Sequence, residues 1–322
     1  MILGEVALAA IDIEDESFRI SEDLDPAAMD LSLQAIGLIN PVMLLECTAP
    51  SGYRIVCGFR RLRALRRLAG SKVAARILQP AELSTLEVFL RAVWDNLAHR
   101  QLCPLEKARV LFTLRHKCAV EGDLLVAHFL PLLGLSSHRN VLQGYLALHQ
   151  LHPELRRLLN AGHLTMSSAE RLARTTPATQ AGSVALLQKI RLSASLQREV
   201  LDLSGDLAAV TRTTLADVLN QLEIRSIADD PCLSAFQKGE QIHGFLYRQR
   251  NPRISRARET FQAEKEGLNL PGTIRLSPDP FFESPRLRVE FDAASAKAFR
   301  ETVEALERAC RTTSLERLFE IS

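Results

Sequence analysis

The sequence predicts three folded parts: an α+β domain over residues 1–101, an all-α domain over 102–225, and a small α+β domain over 226–322. Three observations carry this division. Short β-branched and aromatic runs alternate with short helical stretches up to residue 78. Between 104 and 225 the apolar residues recur at helical spacing. Past Ala228-Asp229-Asp230-Pro231, read as a linker, two alternating runs return, Thr273 to Leu276 and Arg286 to Phe291, joined by Ser277-Pro278-Asp279-Pro280. A chain of 322 residues suits two or three domains. Its charged and apolar fractions are those of a globular protein, which excludes fibrous and disordered classes.

In the first part, Glu5 to Ile13 reads as a strand and Asp25-Pro26 as a helix start, with proline suited to the first turn. Met29, Leu31, Leu33 and Ile36 continue that helix to a cap at Gly37. Pro41 to Leu45 and Tyr53 to Cys57 read as strands. Gly58 then supplies a tight turn, and Leu62, Leu65 and Leu68 mark one face of a helix. Gly70 stops it as a glycine just past a helix end does, and Lys72 to Leu78 is a further strand. Residues 80–100 form a helix with Leu86, Val88, Phe89, Ala92, Val93 and Trp94 on its apolar side, Trp94 counted as core.

Charge is the more informative signal. The net value is +2, but residues 51–78 hold Arg54, Arg60, Arg61, Arg63, Arg66, Arg67, Lys72 and Arg76 without one acid. Residues 1–50 hold ten acids against the single Arg19. A glycine turn opening a basic helix gathers unpaired N–H groups and forked guanidinium donors at one point, which suits phosphate. The reading is an anion cradle, screened by the acidic lead segment when empty; a solvated basic helix face is the alternative. Asp95 and Asn96 near a helix end read either as an ordinary polar end or as a pair of oxygen donors for a hard cation.

The middle part opens at Pro104, with Leu105, Ala108, Leu111 and Phe112 as a helical stripe. A second helix runs from Asp123 to Leu133, where Pro131 ends or kinks it. Gly134-Leu135 is a turn, and Ser136-Ser137-His138-Arg139-Asn140-Val141-Leu142-Gln143 opens a third helix, capped by Ser136 or Ser137. This is the helix-turn-helix pattern. Ser136, Ser137, His138, Arg139, Asn140 and Gln143 are the residues that would meet phosphates or base edges of double-stranded DNA. Seven of eight histidines fall between His99 and His163 without a paired ligand spacing, and read as polar surface.

The last part carries a second basic cluster, Tyr247 to Arg258, read either as a nucleic-acid contact or as solvated surface. A closing helix from Ala293 to Cys310 has Phe299, Val303 and Leu306 on one side. The six scattered cysteines read as reduced thiols. With no basic, apolar leader and no apolar run long enough to span a bilayer, a cytoplasmic protein is expected, with no membrane partner.

Gly58-Phe59-Arg60-Arg61-Leu62-Arg63-Ala64 resembles the Gly-Glu-Arg-Arg-x-Arg-Ala box of the ParB family of chromosome and plasmid partition proteins. Gly37-Leu38-Ile39-Asn40-Pro41-Val42 is similar to that family's Gly-Leu-Leu-Gln-Pro-Ile. Asp95-Asn96-Leu97-Ala98-His99 and Leu102-Cys103-Pro104-Leu105-Glu106-Lys107-Ala108 stand where it has Glu-Asn-Leu-Gln-Arg and Leu-Asn-Pro-(Ile/Leu)-Glu-Glu-Ala. Leu146 to Leu155 and Gly162 to Ala169 match two further boxes, and the resemblance stops near residue 225.

The resemblance implies a ParB/sulfiredoxin-like fold for the first domain, CTP and Mg2+ as ligands, and a homodimer that clamps DNA when nucleotide binds. It also implies a ParA-type ATPase partner and a place at the nucleoid. Carried over by position, Gly58, Arg60, Arg61 and Arg63 cradle phosphates, and Asn96 holds the metal. Asp95 stands for a glutamate of metal binding and hydrolysis, and His99 for an arginine, with Arg100 beside it. Phe59 replaces a glutamate, which implies weak or absent hydrolysis. Two other classes stay open: an enzyme of the same fold (a free-serine kinase, a nuclease, or a sulfiredoxin-like reductase using Cys57) and a protein-binding adaptor. Exposure of Arg139 at a helix start separates DNA binding from the adaptor.

Overall fold

The strand-forming runs of residues 1–78 assemble into one five-stranded sheet. It contains β1 (Ile2–Ala7), β2 (Ile11–Asp12), β3 (Val42–Glu46), β4 (Tyr53–Cys57) and β5 (Lys72–Leu78), in the order β1-β5-β3-β4-β2. The structure is a computed structural model describing residues 1–22, 27–47, 52–80 and 83–321. The expected strand Glu5 to Ile13 is two strands, split by a 3-10 turn at Leu8–Ala10 that carries the chain from one sheet edge to the other. β1 and β5 are antiparallel, as are β3 and β4, whereas β3 runs parallel to β5 and β2 parallel to β4. On β5, Val73 and Ala75 are buried while Lys72, Ala74 and Arg76 are exposed, as the period of a half-covered strand dictates.

Helix α1 (Ala27–Ile36) ends at Gly37, whose φ of 71° is the left-handed geometry glycine tolerates. Its expected start at Asp25-Pro26 lies outside the described residues. Helix α2 (Phe59–Arg67) begins at Gly58, held at φ 103°. A Cβ there would lie 2.7 Å from Val42 Cγ1, so both conformation and space demand glycine. Phe59 and Leu62 pack α2 on the sheet beside Val42, Leu44 and Ile55, and Ala64 is also buried. At the other end the left-handed residue is Ala69, φ 53°, and not Gly70. Gly70 N–H bonds Leu65 O and Ala69 N–H bonds Arg66 O, the paired bonds of a Schellman close, so Gly70 stands one place further on than expected.

Helix α3 (Thr85–His99) starts with a capping box between Ser84 and Glu87. It buries Val88, Phe89, Ala92 and Val93. Trp94 is not core: it is 57% exposed, because the next step around the helix from that stripe points it to the opposite face.

Helix α4 (Pro104–His116) has proline at its first turn. Then come α5 (Gly122–Leu124), a π-helical turn over Leu125–Phe129 and α6 (Leu130–Leu132). The π turn lies just ahead of Pro131, and there Leu130 N–H reaches five residues back to Leu125 O. Widening the turn ahead of a residue with no N–H accommodates the proline without ending the helix at once. Gly134, φ 68°, makes the bend. Helix α7 (Arg139–Ala147) is preceded at its cap by His138, whose side chain makes no cap bond. Ser136 and Ser137 therefore do not cap it; His138 still has extended backbone, so the helix begins later than they could reach. Helices α8 (Pro153–Asn160) and α9 (Met166–Ala173) complete the helical module.

The chain packs as two units, residues 1–181 and 182–322. The boundaries read from sequence, at 101/102 and 225/226, fall inside them. After α10 (Pro177–Leu187) come α11 (Ala194–Thr211), α12 (Leu215–Leu219), α13 (Leu222–Asp229) and α14 (Ala235–Arg250). Their shared core includes Val200, Ile224, Ala228, Ile242 and Leu246, so the 228–231 stretch is a connection inside packed helices and not a loose linker. Helix α15 (Pro252–Gly267), strands β6 (Ile274–Pro278) and β7 (Leu287–Phe291), and helices α16 (Ala296–Ala309) and α17 (Thr313–Glu320) follow. On α16 the buried side is Thr302, Ala305 and Ala309. The Phe299 and Val303 side is open, at 51% and 43% exposed, because small residues let this helix pack closely through its other face.

Gly58→Ala is expected to lower unfolding free energy by roughly 2–4 kcal/mol, from the positive φ and the Val42 overlap together. Urea denaturation with unchanged slope checks this; a loss below about 0.5 kcal/mol would contradict it.

Candidate nucleotide pocket and nucleic-acid face

Gly58 turns the chain so that Cys57, at the end of β4, and Arg61, one turn into α2, share one wall. A pocket of about 340 Å³ opens there, lined among others by Asn40, Pro41, Cys57, Arg61, Asp95 and His99. Arg61 donates to the carbonyls of Asn40 at 2.6 Å and Pro41 at 3.1 Å, which fixes the loop after Gly37 against α2. Arg76 from β5 adds a second cation to the lining. The first turn of α2 leaves N–H groups without partners inside the helix. The pocket volume lies in the usual range for small-ligand sites.

Cys57 is buried, and burial pushes its thiol far above the ordinary cysteine range, with Asp95 adding to the shift as neighbour and as acceptor of the thiol's hydrogen bond. Such a thiol is not a nucleophile at neutral pH. That argues against a reductase reading built on Cys57.

The basic stretch is largely exposed but ion-paired. Its partners come from the acidic lead segment: Arg54 pairs with Asp15, Arg67 with Asp30, Arg63 with Glu16 at 3.4 Å, and Arg66 with Glu14 at 3.7 Å. Arg54 also lies over the Phe18 ring, 5.3 Å from its centroid, and Phe18 and Ile20 are buried. Burial raises the Asp15 carboxyl, but hydrogen bonds from Arg54 and Ser17 outweigh it and hold the group below the ordinary aspartate value. The exposed Arg66–Glu14 pair contributes little; the Arg54–Asp15–Phe18 set fastens the segment.

The other expected residues are placed as follows. Arg60 is exposed on α2 and Arg63 faces Glu16. Asn96 donates to Ala92 O, and its carbonyl oxygen accepts from Arg100 Nε at 3.2 Å and Nη2 at 2.9 Å. Arg100 also donates to Glu106 at 2.6 Å and to Ser21 Oγ at 3.1 Å. Glu106 is buried and further accepts the N–H groups of Cys103 and Glu22. So Asp95 and His99 line the pocket, while Asn96 and Arg100 belong to a network joining α3, α4 and the lead segment. The capping bond of Glu106 to Cys103 N–H is local, but its bond from Glu22 N–H, 84 residues away, gives no local sequence signal. Among the described residues no group of three or more His, Cys, Asp or Glu side chains is placed to hold a metal ion.

On the helical module, Ser136, Ser137, His138, Arg139, Asn140 and Gln143 are all exposed. Arg139 is the first residue of α7 and pairs with Asp123 at 2.6 Å, both side chains about three-quarters exposed at 75% and 76%. A pair so exposed is easily exchanged for a phosphate. In the second basic cluster, Arg250 pairs with Asp206, and Arg258 sits over the Tyr247 ring at 5.1 Å. Tyr247 is thus already covered by a cation. Among the described residues no helix is long and apolar enough to cross a membrane.

A β-α-β unit opened by an αL glycine, with an arginine one turn inside, frames the pocket of this α+β domain. Residues 6–93 match the ParB N-terminal domain, which relates the chain to the ParB partition protein family through this part. A probable chromosome-partitioning protein ParB of Vibrio cholerae serotype O1 is 27% identical over 173 residues, covering 52% of this chain and 56% of that one. The chain thus spans little more than half the length of that curated relative. A nucleoid occlusion protein of Geobacillus sp. is 23% identical over 236 residues, covering 73% and 75%. Among solved structures, the C-terminally truncated ParB of Caulobacter crescentus complexed with CTP-γ-S aligns at TM-score 0.27 and 23% identity, covering 58% of this chain and 98% of that one.

Glu106 provides a test of the network. Burial raises its carboxyl, but Arg100 and the N–H groups of Cys103 and Glu22 outweigh this and hold it below the ordinary glutamate value. Its contribution is therefore present above the unfolded glutamate value and lost as pH falls through the lower folded one. Glu106→Gln should cost about 1–3 kcal/mol at pH 7. The gap from wild type should close as pH drops below the ordinary glutamate range. A gap independent of pH would contradict the assignment.

Proposed function

We propose that the protein is a ParB-like DNA-binding protein of chromosome or plasmid partition whose N-terminal domain binds CTP. The observation that carries this reading is the pocket in which Gly58, at positive φ, sets Arg61 opposite Asp95 and His99. Two guanidinium groups in its lining supply charge for phosphates. The residues present fit a nucleotide better than a metal by itself, given the lack of a three-ligand group among the described residues. Magnesium, which takes a carboxylate plus substrate phosphates, would arrive with the nucleotide and use Asp95, and it would neutralise phosphate charge there. Arg61 would exchange its carbonyl partners for phosphate oxygens and so free the Asn40–Pro41 loop.

Hydrolysis is weak or absent in this reading. Phe59, where the family box carries glutamate, is buried in the sheet core and offers no carboxylate. Asp95 already accepts the Cys57 thiol. The exposed face of α7 would dock on double-stranded DNA, with Arg139 exchanging Asp123 for backbone phosphate. A homodimer and a ParA-type ATPase partner complete the proposal. A nucleoid role other than segregation is the second reading, favoured by the longer match to the nucleoid occlusion relative.

Calorimetry with CTP and Mg2+ tests the pocket. Wild type should bind CTP in the micromolar range, with Arg61→Ala weakening it about tenfold or more. Absence of CTP binding, or equal binding by the variant, would overturn the assignment. Brisk turnover would overturn the hydrolysis claim.

A further inference from the structure

A second cationic site lies away from the pocket, in the cleft between α4 and α8. It is lined by Glu22, Arg109, Arg156, Arg157 and Asn160, with a volume of about 620 Å³. Arg109 and Arg156 each donate to one oxygen of the Glu22 carboxylate, both at 2.8 Å. All three side chains are largely buried, at 22%, 21% and 17% exposed for Arg109, Arg156 and Glu22. The Nε atoms of Arg109 and Arg156 are buried and have no hydrogen-bond partner.

The arrangement is under-filled. Each guanidinium offers five N–H donors, and two positive charges face one carboxylate. Among the described residues Glu22 is the acid paired with these two guanidiniums, and Arg157, at the rim, is paired outward with Glu154 at 2.5 Å. The surroundings register the excess. Arg19 is held below its ordinary value by burial and then by Arg109. His149 is held below its ordinary value by burial and then by Arg156 and Arg109. A tetrahedral oxyanion of two charges and more acceptor lone pairs would match both guanidiniums and use the orphaned Nε donors.

We infer that the α4–α8 cleft is a phosphate-binding site whose resident anion is the protein's own Glu22, so that an incoming phosphate group and the lead segment compete for it. The site is independent of the Arg61 pocket. Glu22 belongs to the segment that Arg54 fastens through Asp15, and its N–H bonds Glu106. Release of the Glu22 carboxylate would therefore loosen the lead segment from the helical module. A competitor tethered within the chain lowers the apparent affinity for an external anion by the fraction of time it occupies the site.

The experiment uses full-length chain in an Arg61→Ala background, so that the other pocket does not contribute. Pyrophosphate binding is measured by calorimetry and binding of a fluorescent DNA duplex by anisotropy. Adding Glu22→Gln should tighten one of the two by about tenfold or more. Further addition of Arg156→Gln should remove that gain. A gain with pyrophosphate assigns the site to a free phosphate ligand; a gain with the duplex alone assigns it to backbone phosphate. Unchanged or weaker binding of both probes by the Glu22→Gln protein overturns the inference, as does a gain that survives Arg156→Gln.

Discussion

The organisation of the N-terminal domain depends on one electrostatic constraint: a helix with five arginines must be neutralised by something. In this state the acids that pair with it are Glu14, Glu16 and Asp30, contributed by segments distant in sequence, while Asp15 pairs with Arg54 on the preceding strand. The helix can take such charge because Gly58 permits a reversal at φ 103° that no other residue would accept against Val42. Most of these pairs are solvent-exposed and individually weak, so their anions are exchangeable. The partly buried pairs, Arg54–Asp15 and, between α3 and α4, Arg100–Glu106, are the more fixed points around which exchange can occur.

Much of this was legible in the sequence. The reversal of charge sign between residues 1–50 and 51–78 implied a screened anion site, and the pairing follows that pattern. The glycine turn, the Arg61 position and the exposed start of α7 with Arg139 were likewise readable. The failures have physical causes. Trp94 looked like core by residue type, but helical phase, not type, decided its exposure. Gly70 looked like a helix stop, but Ala69 takes the left-handed geometry because the Schellman bonds offset its strain. Ser136 and Ser137 had the chemistry of caps but lie too early.

Asn96 and Arg100 show a different limit. Position in a motif assigned them to a ligand, whereas in this structure they bond to one another and, through Arg100, to Glu106 and Ser21. Such three-way sharing cannot be read from spacing, because Ser21 and Glu22 come from the far side of the sheet domain's sequence. It also means that the lead segment touches both the Arg100–Glu106 network and the Arg109–Arg156 cleft. Ser21 and Glu22, adjacent in the chain, thus tie these two groups together.

The central claim is that the Gly58 turn and first turn of α2 are an anion cradle. Hydrogen exchange of the wild-type protein with and without CTP and Mg2+ tests it most directly. Slower exchange of the amides from Gly58 to Leu62, with faster exchange across residues 12–22, is the predicted result. Unchanged exchange over residues 58–62 at a saturating nucleotide concentration would contradict it.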